Sequence, residues 1–270
     1  MCRLLGAIFV GTGSVENHLL EAECAIFKQA VKGKQSDGWG IGFYAGRVPI
    51  VFKSEKAVYE EEDRFEEVVK STRGRIIIAH VRKASNPRGL PREKLISPEN
   101  SQPFHYLNYL LVHNGSINIP DEVIKRLGSY GGLVKSYNDS EAYFYLLLSL
   151  IEKEKDIVTA FRTVEKTLME IFLEEKPSRF EAPFTSLNTI FSDGEKLYAF
   201  TRYLTNPGKS ICYGDSPVFE MCFNPDVDNL TVASEKTFMG NWIPLKNNNL
   251  LECWVEKNEI KYVLHDFNSQ

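Results

Sequence analysis

Met1-Cys2-Arg3-Leu4-Leu5-Gly6 opens the sequence and places a cysteine directly after the initiator methionine. Cysteine is small enough for the methionine to be removed, and Cys2 would then carry both a thiol and a free α-amine. An α-amine has an unperturbed pKa of roughly 7.7–8.0, so it is partly unprotonated near neutral pH and can act as general base for the thiol. The stretch indicates either an N-terminal nucleophile or an ordinary thiol at the start of a strand.

The residues that follow predict strands, then helices, then strands again. Cys2 to Val10 is apolar and ends at Gly11-Thr12-Gly13, which is typical of a buried strand. Apolar residues at helical spacing predict helices over 14–33, 60–71, 142–151 and 157–172. Further strands are predicted over 48–53, 75–82, 109–113, 187–192, 196–202, 230–234, 250–255 and 260–267. Strand and helix do not alternate regularly, so we expect an α+β fold of antiparallel sheets with helices outside, in a single domain of residues 1–270.

The composition limits the classes of partner. The 270 residues are 43% hydrophobic and 25% charged, which is typical of a soluble globular protein. A net charge of −4 gives no electrostatic reason to expect a nucleic acid or an anionic membrane as partner. No apolar run approaches the ~18 residues that a membrane span needs. Residues 1–13 lack the features of a signal peptide, so we expect nothing to precede the mature domain and a cytoplasmic location.

Cysteines and histidines lack the spacing of a metal site. The cysteines are an odd set without a CxxC pair, at positions 2, 24, 212, 222 and 253. This pattern favours reduced thiols in the cytoplasm over a disulfide framework or a zinc site. No histidine pairs with another ligand at metal-binding spacing, and the three glycines of residues 38–42 enter a strand instead of a helix. We therefore expect no metal and no cofactor.

Five short stretches contain residues suited to chemistry: Cys2-Arg3-Leu4-Leu5-Gly6, Asp37-Gly38-Trp39-Gly40, His80-Val81-Arg82, His113-Asn114-Gly115 and Asn138-Asp139-Ser140-Glu141. In this order along the chain they resemble the class II glutamine amidotransferases, whose nucleophile is an N-terminal cysteine. Residues 79–85 and 232–235 are similar to the free-standing members of that family, which carry no synthase domain. The resemblance extends from Cys2 to about Glu235 and implies a four-layer αββα fold of the N-terminal-nucleophile hydrolase type, with two stacked antiparallel sheets between helices.

The resemblance also implies the reaction. Cys2 would attack the side-chain amide carbonyl of glutamine, giving a γ-glutamyl thioester and ammonia, and water would then release glutamate. The oxyanion of the tetrahedral intermediate needs fixed donors, each worth roughly 3–4 kcal/mol of barrier. The side-chain NH₂ of Asn114 and the backbone N–H of Gly115 are suited to this, although Asn-Gly is also the commonest hairpin turn.

Further residues are implied to bind the substrate. Arg82 would clamp the α-carboxylate with a two-donor fork and Asp139 would meet the α-ammonium. The alternatives are a surface salt bridge for Arg82 and a helix N-cap for Asp139. Strand alternation puts His80 on the face of Arg82, where it orients the site or packs in the core. Trp39 and Gly40 form either a wall of the pocket or part of the core.

Three functions fit these residues. The first is glutamine hydrolysis, and because the chain contains no synthase domain, a separate subunit would accept the ammonia. The second is hydrolysis of a larger γ-glutamyl compound, since the same residues would grip its glutamyl head. Residues 86–100 would then line the pocket beyond the scissile bond. The third is a non-catalytic partner subunit, against which the joint presence of Cys2, Arg82, Asn114, Gly115 and Asp139 argues.

Overall fold

The strands of the protein form two antiparallel sheets. The computed structural model describes residues 1–206, 208–214 and 217–268. The strands of this part are β1 Arg3–Gly13, β2 Trp39–Ala45, β3 Val48–Ser54, β4 Gly74–Val81, β5 Phe104–Tyr106, β6 Tyr109–Asn114, β7 Asn188–Ser192, β8 Leu197–Thr201, β9 Met221–Pro225, β10 Asn229–Ala233, β11 Ile243–Leu245, β12 Asn249–Glu256 and β13 Glu259–Asp266. Their orders are β11-β9-β10-β1-β4-β2-β3 in one sheet and β13-β12-β8-β7-β6-β5 in the other.

Helices cover the outer faces of both sheets. The α-helices of the described residues are α1 Ile26–Gly33, α2 Glu62–Ser71, α3 Arg92–Leu95, α4 Pro120–Arg126, α5 Asp139–Glu154 and α6 Ile157–Glu175. The helices α1 and α2 pack on the seven-stranded sheet, and α4, α5 and α6 pack on the six-stranded sheet. A third apolar core fills the space between the sheets. The predicted α+β fold and its αββα layers are confirmed, and the single domain over 1–270 stays a prediction.

Strand β1 lies in the interior of the seven-stranded sheet. It pairs with β10 on one side and with β4 on the other, so that Arg3 lies opposite Val81 and Leu4 opposite His80. Leu4 and Ile78 belong to the core between the sheets, whereas Ala79 and Val81 face the outer helices. The predicted alternation along β4 is therefore correct, and His80 lies on the inner face, opposite Leu4. This register brings the start of β1 to the end of β4.

The helix predicted over 14–33 is broken into two pieces. Residues Asn17–Glu21 form a single wide turn, and α1 begins only at Ile26. The break has a tertiary cause, because the N–H of Cys24 donates to the Thr237 carbonyl at 2.8 Å instead of to the preceding turn. The helical spacing of the apolar residues indicates which face of each piece is buried, but it does not predict the contact between Cys24 and Thr237.

A disulfide joins Cys24 to Cys212, 188 residues apart in sequence, with their Cα atoms 6.3 Å from each other. The expectation of reduced thiols is wrong for this pair, because the segment between the wide turn and α1 meets the segment after β8 in space. Cys2, Cys222 and Cys253 are free and buried. The argument from cysteine usage to a reducing compartment is thereby removed. Among the described residues, no helix combines the length and the apolar character needed to cross a membrane.

We expect the stability of the protein to decrease as the pH is lowered, because His18, in the wide turn Asn17–Glu21, is buried. Its Nδ1 lies 2.8 Å from Thr237 Oγ1, and burial lowers its pKa from 6.5 to about 4. Because the folded pKa is the lower one, the stabilisation is complete above pH 6.5 and is lost as pH falls towards 4. Urea unfolding at pH 7.5 and 4.5 should show that this residue accounts for roughly 2 kcal/mol of the loss. The variant His18→Gln should have a shallower pH slope, and an unchanged slope would contradict the assignment.

Candidate active site

Cys2 lies at the start of β1 with each of its polar atoms in contact. Its backbone nitrogen donates to Asn114 Oδ1 at 3.1 Å, and its Sγ lies 3.4 Å from both the carbonyl oxygen and the nitrogen of Lys83. Its carbonyl oxygen accepts a hydrogen bond from Arg3 Nη1 at 3.2 Å. The residue is therefore held from three sides, with 8% of its surface exposed.

Burial controls the protonation of this end of the chain. It raises the pKa of the Cys2 thiol, while the terminal amine, the Lys83 N–H and the Arg82 charge act in the opposite direction. Burial also lowers the pKa of the Met1 amine. After removal of Met1, the Cys2 nitrogen beside Asn114 Oδ1 would be the terminal amine. A neutral amine next to a thiol can accept the thiol proton as a general base.

Asn114 uses only one half of its amide group. Its Oδ1 accepts the hydrogen bond from the Cys2 nitrogen, whereas its Nδ2 is buried and has no partner within the described residues. The residue ends β6 and pairs with Asn188 of β7, which fixes its backbone. A buried NH₂ group without an acceptor is costly. Asn114 Nδ2 therefore has hydrogen-bonding capacity that no described residue uses.

Gly115 follows at a position that admits no side chain. A Cβ at this position would lie 2.8 Å from His113 Nε2 and closer still, in direct collision, to the Ser186 carbonyl oxygen. His113 is itself fixed, since Nε2 lies 2.9 Å from that oxygen and Nδ1 lies 2.9 Å from Ser140 Oγ. Glycine therefore lets the chain turn closely past these groups and lines the cleft in front of Cys2 with backbone.

Arg82 follows β4 and is 3% exposed. Its Nη1 donates to the carbonyl oxygens of Leu95 at 2.7 Å and Asp37 at 3.2 Å. No described residue accepts from its Nε or Nη2. Burial lowers its pKa, and the nearby charges of Cys2 and Asp139 raise it. Arg82 is thus not a surface salt bridge, and it keeps donors for an anion.

Asp139 is the first residue of α5 and is also buried. Its two oxygens accept from Ser85 Oγ at 2.7 Å and from the Ile117 N–H at 2.6 Å. The helix cap is the preceding residue, Asn138, whose Oδ1 accepts from the Ser140 N–H. The capping alternative therefore does not account for the Asp139 carboxylate, which retains further lone pairs for a cation.

The remaining three candidates lie around β2 and β4. His80 is buried, both its ring nitrogens lack partners among the described residues, and burial lowers its pKa well below the usual value. A Cβ on Gly40 would lie 2.2 Å from the Gln102 carbonyl oxygen, so glycine is needed for that segment to approach β2. Trp39 packs edge-on against Phe65 in the outer core. Trp39 is therefore part of the outer core and does not line the cleft in front of Cys2.

The cleft in front of Cys2 has a volume of about 260 Å³. Its lining consists of Met1, Cys2, Lys83, Ala84, Ser85, Asn114, Gly115, Ser116, Thr185 and Phe219. A larger cavity of about 620 Å³ lies at the other end of the sheets, around Arg75 and Trp254, where β4 begins. Of the residues described above, Cys2, Asn114 and Gly115 line the smaller cleft, and Asp139 is hydrogen-bonded to the lining residue Ser85. Arg82, His80, Gly40 and Trp39 are not among its lining residues.

The family model of the class II glutamine amidotransferases matches residues 1–246. The chain belongs to this family. A class II glutamine aminotransferase domain protein from Silicibacter pomeroyi has a similar structure, with a TM-score of 0.68 at 18% identity, covering 98% of this chain and 99% of that one. Glutamine phosphoribosylpyrophosphate amidotransferase from B. subtilis gives a TM-score of 0.63 at 15% identity, covering all of this chain and 50% of that one. These two likenesses confirm the fold.

A curated relative of this chain is the γ-glutamyl-hercynylcysteine sulfoxide hydrolase of Mycobacterium tuberculosis. It is 34% identical over 83 residues, which are 31% of this chain and 33% of the relative. The match therefore spans about a third of that protein's length.

Several residues that sequence analysis missed hold the amidotransferase site together. The Asp37 carboxylate accepts from the Ala84 N–H at 2.8 Å and from Arg92 Nη2 at 2.5 Å, which fixes the segment after β4. Ser85 binds Asp139, and Lys83 contacts the Cys2 sulfur. Only Asp37 stood in a stretch singled out for chemistry. The others act through backbone atoms or short contacts that residue types do not reveal.

A group of potential metal ligands lies behind the nucleophile. Cys24, Cys212 and Glu235 place a sulfur or oxygen atom each within 4.8 Å of one another. The two sulfurs are bonded to each other, and both Glu235 oxygens accept backbone N–H groups. These atoms are therefore already engaged, and we assign no metal to them.

Gly115→Ala should lower kcat on the order of a hundredfold. The added Cβ would collide with the Ser186 carbonyl, so the N–H at this position has to move away from the cleft. Steady-state amidase kinetics would measure the loss. Gly132→Ala is the matched control, because a Cβ there meets no atom within 4 Å. Equal activity of both variants would show that the Gly115 backbone has no part in the reaction.

Proposed function

We propose that this amidotransferase hydrolyses the side-chain amide of glutamine, or of another γ-glutamyl amide, through a thioester on Cys2. With Met1 removed, the Cys2 amine takes the thiol proton while the sulfur attacks the amide carbonyl carbon. The protonated amine then gives this proton to the leaving nitrogen, and ammonia or an amine departs. Water, deprotonated by the same amine, attacks the thioester and releases the γ-carboxylate and the Cys2 sulfur.

The single observation that carries this proposal is that the two halves of the Asn114 amide differ: Oδ1 is hydrogen-bonded, and Nδ2 has no partner among the described residues. Its oxygen holds the nitrogen of Cys2 at 3.1 Å, and its NH₂ is buried, without a partner and next to the nucleophile. One side chain thus aligns the base and offers a donor to the oxyanion. The backbone N–H of Gly115 is the second donor. Donors fixed before the reaction stabilise the developing charge without reorganisation.

Arg82 and Asp139 are proposed to bind the glutamyl head. A free amino acid carries an α-carboxylate and an α-ammonium on one carbon, and these two residues offer the opposite charges side by side. Two contacts support this proposal: Lys83, which directly follows Arg82, contacts the Cys2 sulfur, and Ser85, two residues further on, is hydrogen-bonded to Asp139. Both side chains are braced by backbone and hydroxyl groups, which supports binding in a single orientation.

Hydrolysis of a larger γ-glutamyl compound is the second candidate. The relative named a γ-glutamyl-hercynylcysteine sulfoxide hydrolase supports it, and the glutamyl head would bind in the same way. If glutamine is the substrate, we propose that a separate subunit accepts the ammonia. A cytoplasmic location stays a prediction from the sequence.

Asn114→Asp is the sharpest test of whether the Asn114 NH₂ acts as a donor in the reaction. The aspartate keeps an oxygen that can hold the Cys2 nitrogen, but it removes the NH₂ donor and adds a negative charge beside the oxyanion. We expect kcat to fall by about a hundredfold or more, with a smaller change in KM. A variant with normal kcat would exclude this side chain from the stabilisation of the transition state.

Trapping tests the nucleophile and the substrate together. A glutamine analogue with an electrophilic side chain should label Cys2 and leave Cys222 and Cys253 unmodified, and intact mass should show that Met1 has been removed. Cys2→Ala should abolish both labelling and turnover.

Assays of ammonia release from glutamine and amine release from γ-glutamyl peptides then separate the two candidates. Background turnover of glutamine with rapid peptide cleavage would favour the second, and no turnover of either, with Met1 retained, would favour a non-catalytic subunit.

A further inference from the structure

Arg3 is a charged residue fully buried beside the nucleophile. It is 1% exposed, and its Nη1 donates to the Cys2 carbonyl oxygen at 3.2 Å. Its Nη2 lies 3.4 Å from Glu235 Oε2. A buried guanidinium is expensive unless it is paired and hydrogen-bonded, so this position is stable only while Glu235 stays in place. The Cys2 carbonyl oxygen is thereby connected, through Arg3, to the Glu235 carboxylate.

Glu235 is in turn held by the segment that contains Cys212. Its Oε1 accepts from the Cys212 N–H at 2.5 Å, and its Oε2 accepts from the Ile211 N–H at 2.9 Å. Both oxygens are thus oriented by two consecutive backbone groups. The segment is fixed by the disulfide from Cys212 to Cys24, which stands directly before α1. A continuous chain of contacts therefore runs from Cys24 to the nucleophile.

We propose that Arg3 and Glu235 are positioning residues for Cys2, and that the Cys24–Cys212 disulfide keeps this pair aligned, so that reduction of the disulfide lowers the turnover of the enzyme. The disulfide-bonded protein is the active form. Reduction frees the segment that donates to Glu235, the carboxylate loses its orientation, and Arg3 no longer fixes the Cys2 carbonyl. The claim about turnover rests on the proposed function.

The surroundings of the disulfide suit thiol exchange. Cys212 is only partly buried, and its Sγ lies 3.8 Å from Lys32 Nζ, whereas Cys24 is buried. One thiolate of an external dithiol attacks the Cys212 sulfur, and Cys24 leaves with the bonding electron pair and takes up a proton. The second thiolate of the dithiol then attacks the other sulfur of the same dithiol, which is bonded to Cys212, and Cys212 leaves as a thiolate. The Lys32 ammonium stabilises this thiolate. The protein gains two electrons and the dithiol becomes a disulfide.

The kinetic consequence differs between binding and chemistry. Arg82 and Asp139 are held by Leu95, Ser85 and Ile117, none of which belongs to the chain of contacts from Cys24 to Cys2. Recognition of the glutamyl head should therefore survive reduction. The alignment of the nucleophile should not, and small displacements of reacting groups cost on the order of tenfold to a hundredfold in rate. We expect kcat to fall by about tenfold with KM nearly unchanged.

The test compares the oxidised protein with protein treated with a dithiol. Differential alkylation and mass spectrometry establish the state of Cys24 and Cys212 in each sample, and glutamine or γ-glutamyl peptide turnover gives kcat and KM. Cys24→Ser and Cys212→Ser should resemble the reduced protein and should no longer respond to the dithiol. Cys253→Ser, a buried free cysteine on β12, is the control that should keep the full response.

The role of the charged pair is tested by Glu235→Gln. It should lower kcat like reduction does, and in this variant the dithiol should have little further effect, because both changes remove the same alignment. Glu252→Gln is the control, since Glu252 is another paired carboxylate, partly buried on β12, where it contacts Lys196 and His265. Additive losses from Glu235→Gln and reduction would overturn the coupling.

One measurement separates this inference from the proposed function. The rate at which iodoacetamide alkylates Cys2 does not require a glutamyl substrate, and it should also fall on reduction as the base and the sulfur lose their alignment. A changed alkylation rate without any amidase activity would retain the positioning role and reject the proposed substrates. Free thiols at Cys24 and Cys212 in the isolated protein under air, or equal kcat and equal alkylation rates in both states, would overturn the inference.

Discussion

The site depends on the pairing of β1 with strands on both of its sides. Because β1 is hydrogen-bonded to β4 and to β10, its first residues cannot move without breaking two ladders. The ends of β4 and β6 and the start of α5 lie around the same point, and each contributes a polar residue there. A nucleophile on a loop would need separate bracing. Here Cys2, the proposed nucleophile, directly precedes β1, so the paired strand limits its movement.

Buried polar groups surround this point, and backbone N–H groups balance most of them. Asp139 accepts from Ile117, Asp37 from Ala84, and Glu235 from two residues near the disulfide. Such contacts offset the cost of burying charge better than solvent-exposed ion pairs would, because a backbone donor cannot swing away. Among the described residues near Cys2, the Asn114 NH₂, the ring of His80, Arg3 Nε and Gln35 Oε1 have no hydrogen-bond partner.

The sequence predicted those features that local patterns encode. The alternation along β4 separated Ala79 and Val81 from the polar face correctly, and the Asn-Gly pair after β6 lies beside Cys2 as the family resemblance implied. Contacts between distant segments were beyond reach. No local pattern distinguishes a tryptophan in the outer core from one in a pocket, as at Trp39, and cysteines 188 residues apart show no sign of meeting. The pairing of Arg3 with Glu235 was not predicted either, because it depends on the register of three strands.

Met1 lines the cleft in front of Cys2, and this has a practical consequence. Any extension ahead of the cysteine, whether a leftover methionine or an affinity tag, fills the volume in which an amide has to lie. It also converts the basic amine into a peptide nitrogen that cannot accept a proton. Under the proposed mechanism, the peptidase that removes Met1 would activate this protein, and recombinant forms with a fusion at this end would be inert.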